Sequence, residues 1–212
     1  MMHLEERNLL GTGCMPSKMD GTEYVYSVDD KIALPEEFSY QDVMPPVRNQ
    51  GSSYTCVCQS LTGLLDFIRN SRNNTANVCN NFSIEELYDI RSNKPGDGMS
   101  FKEAFHYLRH HGLDGEKINT YSKLVDVDSA KNAIVMFGPI VAGFPTYSGS
   151  LRKFWIKRGF YQGGHAVMIV GYTKDGFIIR NSWGEQWADK GHVVIPFDEF
   201  DDFCFEAWTA ML

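Results

Sequence analysis

The sequence predicts an α+β fold: a helical lobe and an antiparallel β-sheet or barrel lobe with a cleft between them. Three observations point there. In the first half, apolar residues recur at helical spacing, most clearly at Val57, Leu61, Leu64, Leu65 and Ile68. After Gly138-Pro139 the pattern changes to short strand-like runs bounded by turn residues. The two kinds of segment do not alternate, which argues against a doubly wound parallel sheet. A chain of 212 residues is long enough to bury a substantial core as one unit or as two lobes.

Taken in order, residues 1–34 hold Gly11, Gly13, Pro16 and Gly21 without sustained periodicity. They predict an extended strap with one short strand at Tyr24–Val28. Pro35, Pro45 and Pro46 keep the following stretch out of helix. A helix is expected from Cys56 to about Asn70, with Gly63 tolerated where another backbone packs close. Ser83 and Ser100 each stand three residues before a glutamate, the pattern of a capping box. They open helices over about 84–91 and from 101 to Gly112. His110 and His111 end the second of these, where positive charge is favoured, and no further metal-ligand pattern accompanies them. A last helix is expected from about Asp128 to Phe137. The predicted strands are Ile140–Phe144, His165–Tyr172, Gly176–Arg180, His192–Pro196 and Phe205–Met211, with Lys174-Asp175-Gly176 as a hairpin turn. The organisation is a strap over 1–34, a helical lobe over 35–125 and a β lobe over 126–212, one domain in all. The strap belongs to the body or crosses to the sheet lobe or cleft.

Composition removes several classes of function. A net charge of −7 offers no basic surface for nucleic acid, and no window reaches the apolar length of a membrane span. Five cysteines are an odd number and too sparse for a disulfide framework, so they are expected to be mostly reduced. The N-terminus carries acids and lacks the apolar core of a secretory signal, which sets the expectation of a cytoplasmic protein of bacterial or viral origin.

The candidate chemistry starts at Cys56, where a polar turn runs into the first strong helix. Unpaired N–H groups and the helix dipole at such a junction favour thiolate, the nucleophilic form. A thiolate nucleophile also needs a base, a group that orients the base, and donors for the oxyanion. His165 follows two glycines at the start of an apolar strand, an edge position with room for a substrate. Asn181 ends the strand paired through the hairpin, within reach of that imidazole, and Trp183 is placed to cover the bond between them from water. Singly, each has an ordinary alternative: a structural histidine, a turn, a core aromatic. A zinc site built on Cys56-Val57-Cys58 and His165 is disfavoured, because paired structural-zinc cysteines usually stand two or more residues apart.

Together, three blocks in one order resemble the papain-like cysteine peptidases: P-P-V-R-N-Q-G…C, G-G-H-A-V…V-G-Y and I-R-N-S-W-G-E-Q-W…K-G-H. The resemblance covers about Leu34 to the C-terminus. It implies a papain-like fold with Cys56 as nucleophile, His165 as general base and later acid, and Asn181 as the orienting residue. Gln50, six residues before Cys56, is implied as oxyanion donor with the Cys56 N–H. The same spacing selects Cys56 over Cys58, which a two-residue helical step turns away by about 200°. Gly98 is similar to the family's glycine-containing cleft wall. Met99, Phe101 and Ala166 would line a pocket for an apolar or medium-sized side chain, with Trp183 and Tyr54 beside the cleft.

Ser53, Tyr54 and Val57 depart from the family's usual cysteine, glycine and aromatic. His165 and Asn181 also follow Cys56 more closely than the roughly 130–150 residues of better-known members, which predicts a trimmed strand lobe. The implied activity is hydrolysis of a peptide or protein substrate through a thioester, without metal or organic cofactor. Transpeptidation or isopeptide cleavage on the same scaffold, or a catalytically silent binding protein, are the alternatives. The strap is expected first to pack along the body as part of the fold. The alternative is that residues around Cys14 lie in the cleft and restrain activity.

Overall fold

The computed structural model describes residues 10–28 and 32–211. Its helices are α1 (Cys56–Arg72), α2 (Ile84–Asp89), α3 (Phe101–His110), α4 (Val127–Phe137) and α5 (Phe197–Phe203). The strands are β1 (Phe38–Ser39), β2 (Thr120–Leu124), β3 (Ile140–Tyr147), β4 (Tyr161–Tyr172), β5 (Gly176–Arg180), β6 (His192–Pro196) and β7 (Glu206–Met211). They form one seven-stranded antiparallel sheet in the order β2-β7-β3-β4-β5-β6, with β1 added on β4. The fold is α+β, as expected.

Ser83 and Ser100 accept the N–H groups of Glu86 and Glu103 and start α2 and α3. The reciprocal half of each box is not made, because the glutamates are engaged elsewhere. Glu86 accepts the Tyr107 hydroxyl at 3.3 Å, and Glu103 accepts the Ser92 N–H at 2.6 Å. The complete capping box belongs to α4, where Asp126 and Ser129 cap each other. That helix ends at Gly138 with φ +118°, and a Cβ there would stand 2.4 Å from the Phe67 ring.

Three expectations are corrected, and one strand appears where none was expected. β4 begins at Tyr161, so His165 lies inside a strand and not at its edge. The helix at Val127–Phe137 is not the last, because Phe197–Phe203 is helical. Its phenylalanines at 197, 200 and 203 recur every third residue, a helical spacing inside an acidic run that reads as loop. The polar run Thr120–Leu124 is a strand because it pairs with β7, a partner nearly ninety positions on. Finally, Tyr24–Val28 holds only one bridge, from Val25 to Lys123.

The sheet separates two cores. On one face α1, α2 and α3 pack Leu61, Leu64, Leu65 and Phe105 against Met168 and Trp208. On the other, α4 and α5 cover Phe144, Trp155, Phe177 and Trp187. At Gly63 the close neighbour is a side chain, not a backbone: the Met168 sulfur lies 2.6 Å from where a Cβ would be. This contact seats α1 directly on β4. Arg180 donates to the Pro45 and Pro46 carbonyls at 2.7 and 2.9 Å, fixing the loop that leads into α1. Among the described residues, no helix is long and apolar enough to cross a membrane.

Candidate active site

Cys56 is the first residue of α1, whose N-cap Thr55 makes no side-chain cap. The first-turn N–H groups are therefore left to other acceptors. The Cys56 sulfur lies against the backbone N–H groups of Cys56, Val57, Ala166 and Cys14. These favour thiolate, but full burial outweighs them and pushes the thiol up to about 12. Cys58 points away, its sulfur 3.7 Å from that of Met99.

The imidazole is oriented by a short chain of hydrogen bonds. Asn181 Oδ1 accepts the Ser182 N–H at 2.7 Å, which fixes which end of the amide is oxygen. The same oxygen lies 2.7 Å from His165 Nε2, so that nitrogen carries the proton. Nδ1 is left with a lone pair, buried and without a partner among the described residues. It is the nitrogen free to accept a proton. Trp183 stacks on the ring at 4.3 Å and 19°, and Phe154 meets it edge-on at 5.3 Å. Burial moves the imidazole down to about 4, opposed in part by the bond to Asn181. Ala166, the residue after His165, supplies one of the N–H groups at the Cys56 sulfur. The first and second halves of the chain thus meet here.

Gln50 is tied to the same turn. Its N–H donates to the Ser182 carbonyl at 2.8 Å, and its Oε1 accepts the Ser182 hydroxyl at 2.5 Å. Nε2 donates one hydrogen to the Ser53 carbonyl at 2.8 Å. Its second hydrogen is available, and Nε2 lies 2.7 Å from where a Cβ on Gly11 would stand.

The strap accounts for the closure of this site. Gly11 N–H donates to Gly51, and its carbonyl accepts the Trp183 indole N–H at 3.0 Å. Gly13 and Cys14 both donate to the Gly164 carbonyl at 2.9 Å. Met99 N–H donates to Gly13 at 2.8 Å, and Met15 N–H returns to Met99 at 2.9 Å, a parallel bridge. Gly13 has φ +122°, and a Cβ there would stand 2.5 Å from the Tyr54 carbonyl. Across the groove, Gly98 has φ +85° with the Gly13 carbonyl 2.7 Å from its Cβ position. Residues 11–15 therefore lie between Gly98-Met99 on one side and Gly164 and Trp183 on the other, while Val25 bridges to Lys123. Cys56 and His165 are both 0% exposed, so the open approach expected at His165 is absent in this form.

The remaining expected cleft residues divide. Gly98 and the Met99 backbone meet the strap, as Tyr54 and Trp183 do. The Met99 and Phe101 side chains are wholly buried, Phe101 with its ring 6.4 Å from that of Phe105, so Phe101 is part of the helical core. Ala166 is buried beside Cys56. Two participants were not singled out from sequence, the Gly164 carbonyl and Ser182. The Gly163-Gly164 pair was the available signal for the first. Among the described residues, no group of three or more His, Cys, Asp or Glu is placed to hold a metal ion.

Fold and site together define the architecture of a papain-like cysteine peptidase. A model of the papain family cysteine proteases matches residues 117–204. Chicken (Gallus gallus) cathepsin K is 25% identical over 83% of this chain, and the chain spans 62% of that relative's length. Xylellain, a cysteine protease from Xylella fastidiosa, superposes with a TM-score of 0.81 over 99% of both chains at 21% identity. Procathepsin B S9 from Trypanosoma congolense gives a TM-score of 0.78 at 15% identity, covering 98% of this chain and 87% of its own. Over residues 117–204 the chain is similar to the papain family cysteine proteases, and its fold as a whole is papain-like.

Proposed function

We propose that the chain is a cysteine peptidase working through Cys56, His165 and Asn181, and that its strap holds it latent. When the groove is open, His165 Nδ1 takes the Cys56 proton and the sulfur attacks a peptide carbonyl. Gln50 Nε2 and the Cys56 N–H stabilise the oxyanion. His165 protonates the leaving amine, a thioester forms, and water activated by Nδ1 returns the free thiol and a carboxylic acid. The observation that carries this is the double acceptor at Asn181 Oδ1, which leaves Nδ1 as the base beside the residue that touches Cys56.

Latency is supported by the strap's hydrogen bonds on both sides of the thiol and by a cysteine and imidazole that burial holds neutral. The strap passes from Gly11 beside Trp183 to Met15 beside Met99, so the groove accommodates peptide on either side of the cleaved bond. That favours endopeptidase action. A reducing, cytoplasmic setting is part of the proposal, resting on the five unpaired cysteines. Deleting residues 1–17 tests the reading: Cys56 should be alkylated faster by iodoacetamide and peptide amides cleaved faster than by the full chain. A folded truncation with no hydrolysis, and with Cys56 reacting no faster than exposed Cys79, would rule it out.

A further inference from the structure

The connection between β3 and β4, residues 148–160, takes no part in the chemistry above. It is anchored to the body at several points. Phe154 and Trp155 are buried, the Trp155 indole donates to Glu199 at 2.8 Å, and the Trp187 indole donates to the Leu151 carbonyl at 2.7 Å. Its two arms are also tied to each other. Ser148 N–H donates to the Phe160 carbonyl at 2.9 Å, and Phe160 N–H donates to the Ser148 hydroxyl at 2.9 Å. Gly149 N–H donates to the Arg158 carbonyl at 2.7 Å. Gly159, between Arg158 and Phe160, has φ +82°, and a Cβ there would stand 2.6 Å from the Ser148 hydroxyl oxygen.

This fixed backbone holds two neighbouring aromatic rings out in water. Phe160 is 84% exposed and Tyr161 64%, the two highest values of any large apolar side chain among the described residues. Beside them Arg152, Lys157 and Arg158 are exposed, and none enters an ion pair among the described residues. The remaining cation of the segment, Lys153, is paired with Glu199 at 2.7 Å. Such a concentration of unpaired positive charge stands out on a chain of net charge −7.

We propose that this tip binds an anionic lipid surface, with Phe160 and Tyr161 at the boundary of headgroups and acyl chains and Arg152, Lys157 and Arg158 on the lipid headgroups. Aromatic rings favour that boundary, and each cation near an anionic leaflet strengthens attachment roughly fivefold. The size of the patch favours lipid over a protein partner. Five side chains fall well short of the roughly 20–30 residues a side that a stable protein interface uses, whereas a bilayer has only to admit the tip. The hydrogen-bonded arms present the rings already ordered. Contact of this kind lies on a membrane without spanning it, so no long apolar helix is required. It is independent of the peptidase reading, yet it brings the site towards the surface, because β4 carries both Tyr161 and His165.

The test is cosedimentation of the full-length chain with vesicles of phosphatidylcholine, alone or with about 30% phosphatidylserine. Binding should be at least about tenfold stronger with phosphatidylserine and should weaken as salt rises. Lys157→Glu/Arg158→Glu should lower it by at least about 25-fold, and Phe160→Ser by about fivefold. Lys117→Glu/Lys174→Glu changes the net charge equally at exposed sites outside the tip and should bind as the wild type does. A second measurement uses fluorescence. All four tryptophans are buried, so Phe160→Trp adds the one exposed indole. Its emission should shift to the blue on phosphatidylserine vesicles and be quenched by brominated lipid. This variant keeps an aromatic ring at an exposed position, so it tests the tip even where the charge-reversed chain fails to fold. No binding to phosphatidylserine vesicles, an equal loss in the Lys117/Lys174 variant, or an indole at position 160 that the vesicles leave unchanged would overturn the proposal. Tip-dependent binding of poly-glutamate without vesicle binding would overturn it in favour of an acidic protein partner.

Discussion

Replacing Gly13 with valine should open the site without shortening the chain. The residue sits at φ +122°, a conformation that costs a side-chain-bearing residue about 1–3 kcal/mol. Its new Cβ would stand 2.5 Å from the Tyr54 carbonyl and 2.9 Å from the Tyr54 Cβ, so the strap has to retreat. Overpacking of this kind costs a further 1–3 kcal/mol, roughly. The strap leaves the site before paying the whole penalty, and a shift of about 2 kcal/mol in the closed-to-open balance is a roughly thirtyfold rise in the open fraction. The assay is pulse alkylation with iodoacetamide and peptide mapping, with exposed Cys79 as internal control. Cys56 labelling should accelerate by about that factor while Cys79 is unchanged. Equal Cys56 rates in a folded variant would refute the claim that residues 11–15 gate the thiol.

Other predictions address separate links. Asn181→Ala frees Nε2 and with it the tautomer of His165, so kcat on an opened variant should fall about 100-fold with KM little changed; a fall in KM terms alone would contradict the orienting role. Lys102 pairs with Asp20 at 3.0 Å and with Glu23, both on the strap. Lys102→Ala should speed Cys56 alkylation, most visibly at low salt, and the gain should shrink as salt screens the wild-type pair. Closure should also respond to pH through Glu206, whose carboxyl burial raises while Trp208, the Ser17 N–H and Lys123 pull it back and Cys14 and Cys204 face it nearby. If strap release relieves the burial that raises this carboxyl, closure is fully favoured below the ordinary carboxylate range and weakens as pH rises through the raised value. Cys56 labelling, normalised to a simple thiol, should therefore climb across that interval in the wild type and stay flat in Glu206→Gln.

The candidate site was more legible than the elements that carry it. Gln50, Cys56, His165, Asn181 and Trp183 stand in short motifs whose spacing is local, and the structure brings them to one turn beside one strand. The helix starts were legible too, since Ser83 and Ser100 act over three residues. β2 was hidden because its five residues become a strand only by pairing with β7, and α5 because its phenylalanines lie among aspartates and glutamates. The strap was ambiguous for a physical reason. Gly11, Gly13 and Gly98 announce backbone lying close to backbone, but not which other segment is close.

The central claim is that Cys56 becomes a nucleophile served by His165 when the strap leaves. It is tested most directly by mixing the Gly13→Val chain with an activated peptide ester, quenching in acid and locating the acyl group by mass spectrometry. The account predicts one acyl group, on Cys56, absent in Cys56→Ala and strongly reduced in His165→Ala. Acylation spread over Cys58, Cys79 and Cys204, or unaffected by loss of His165, would contradict it.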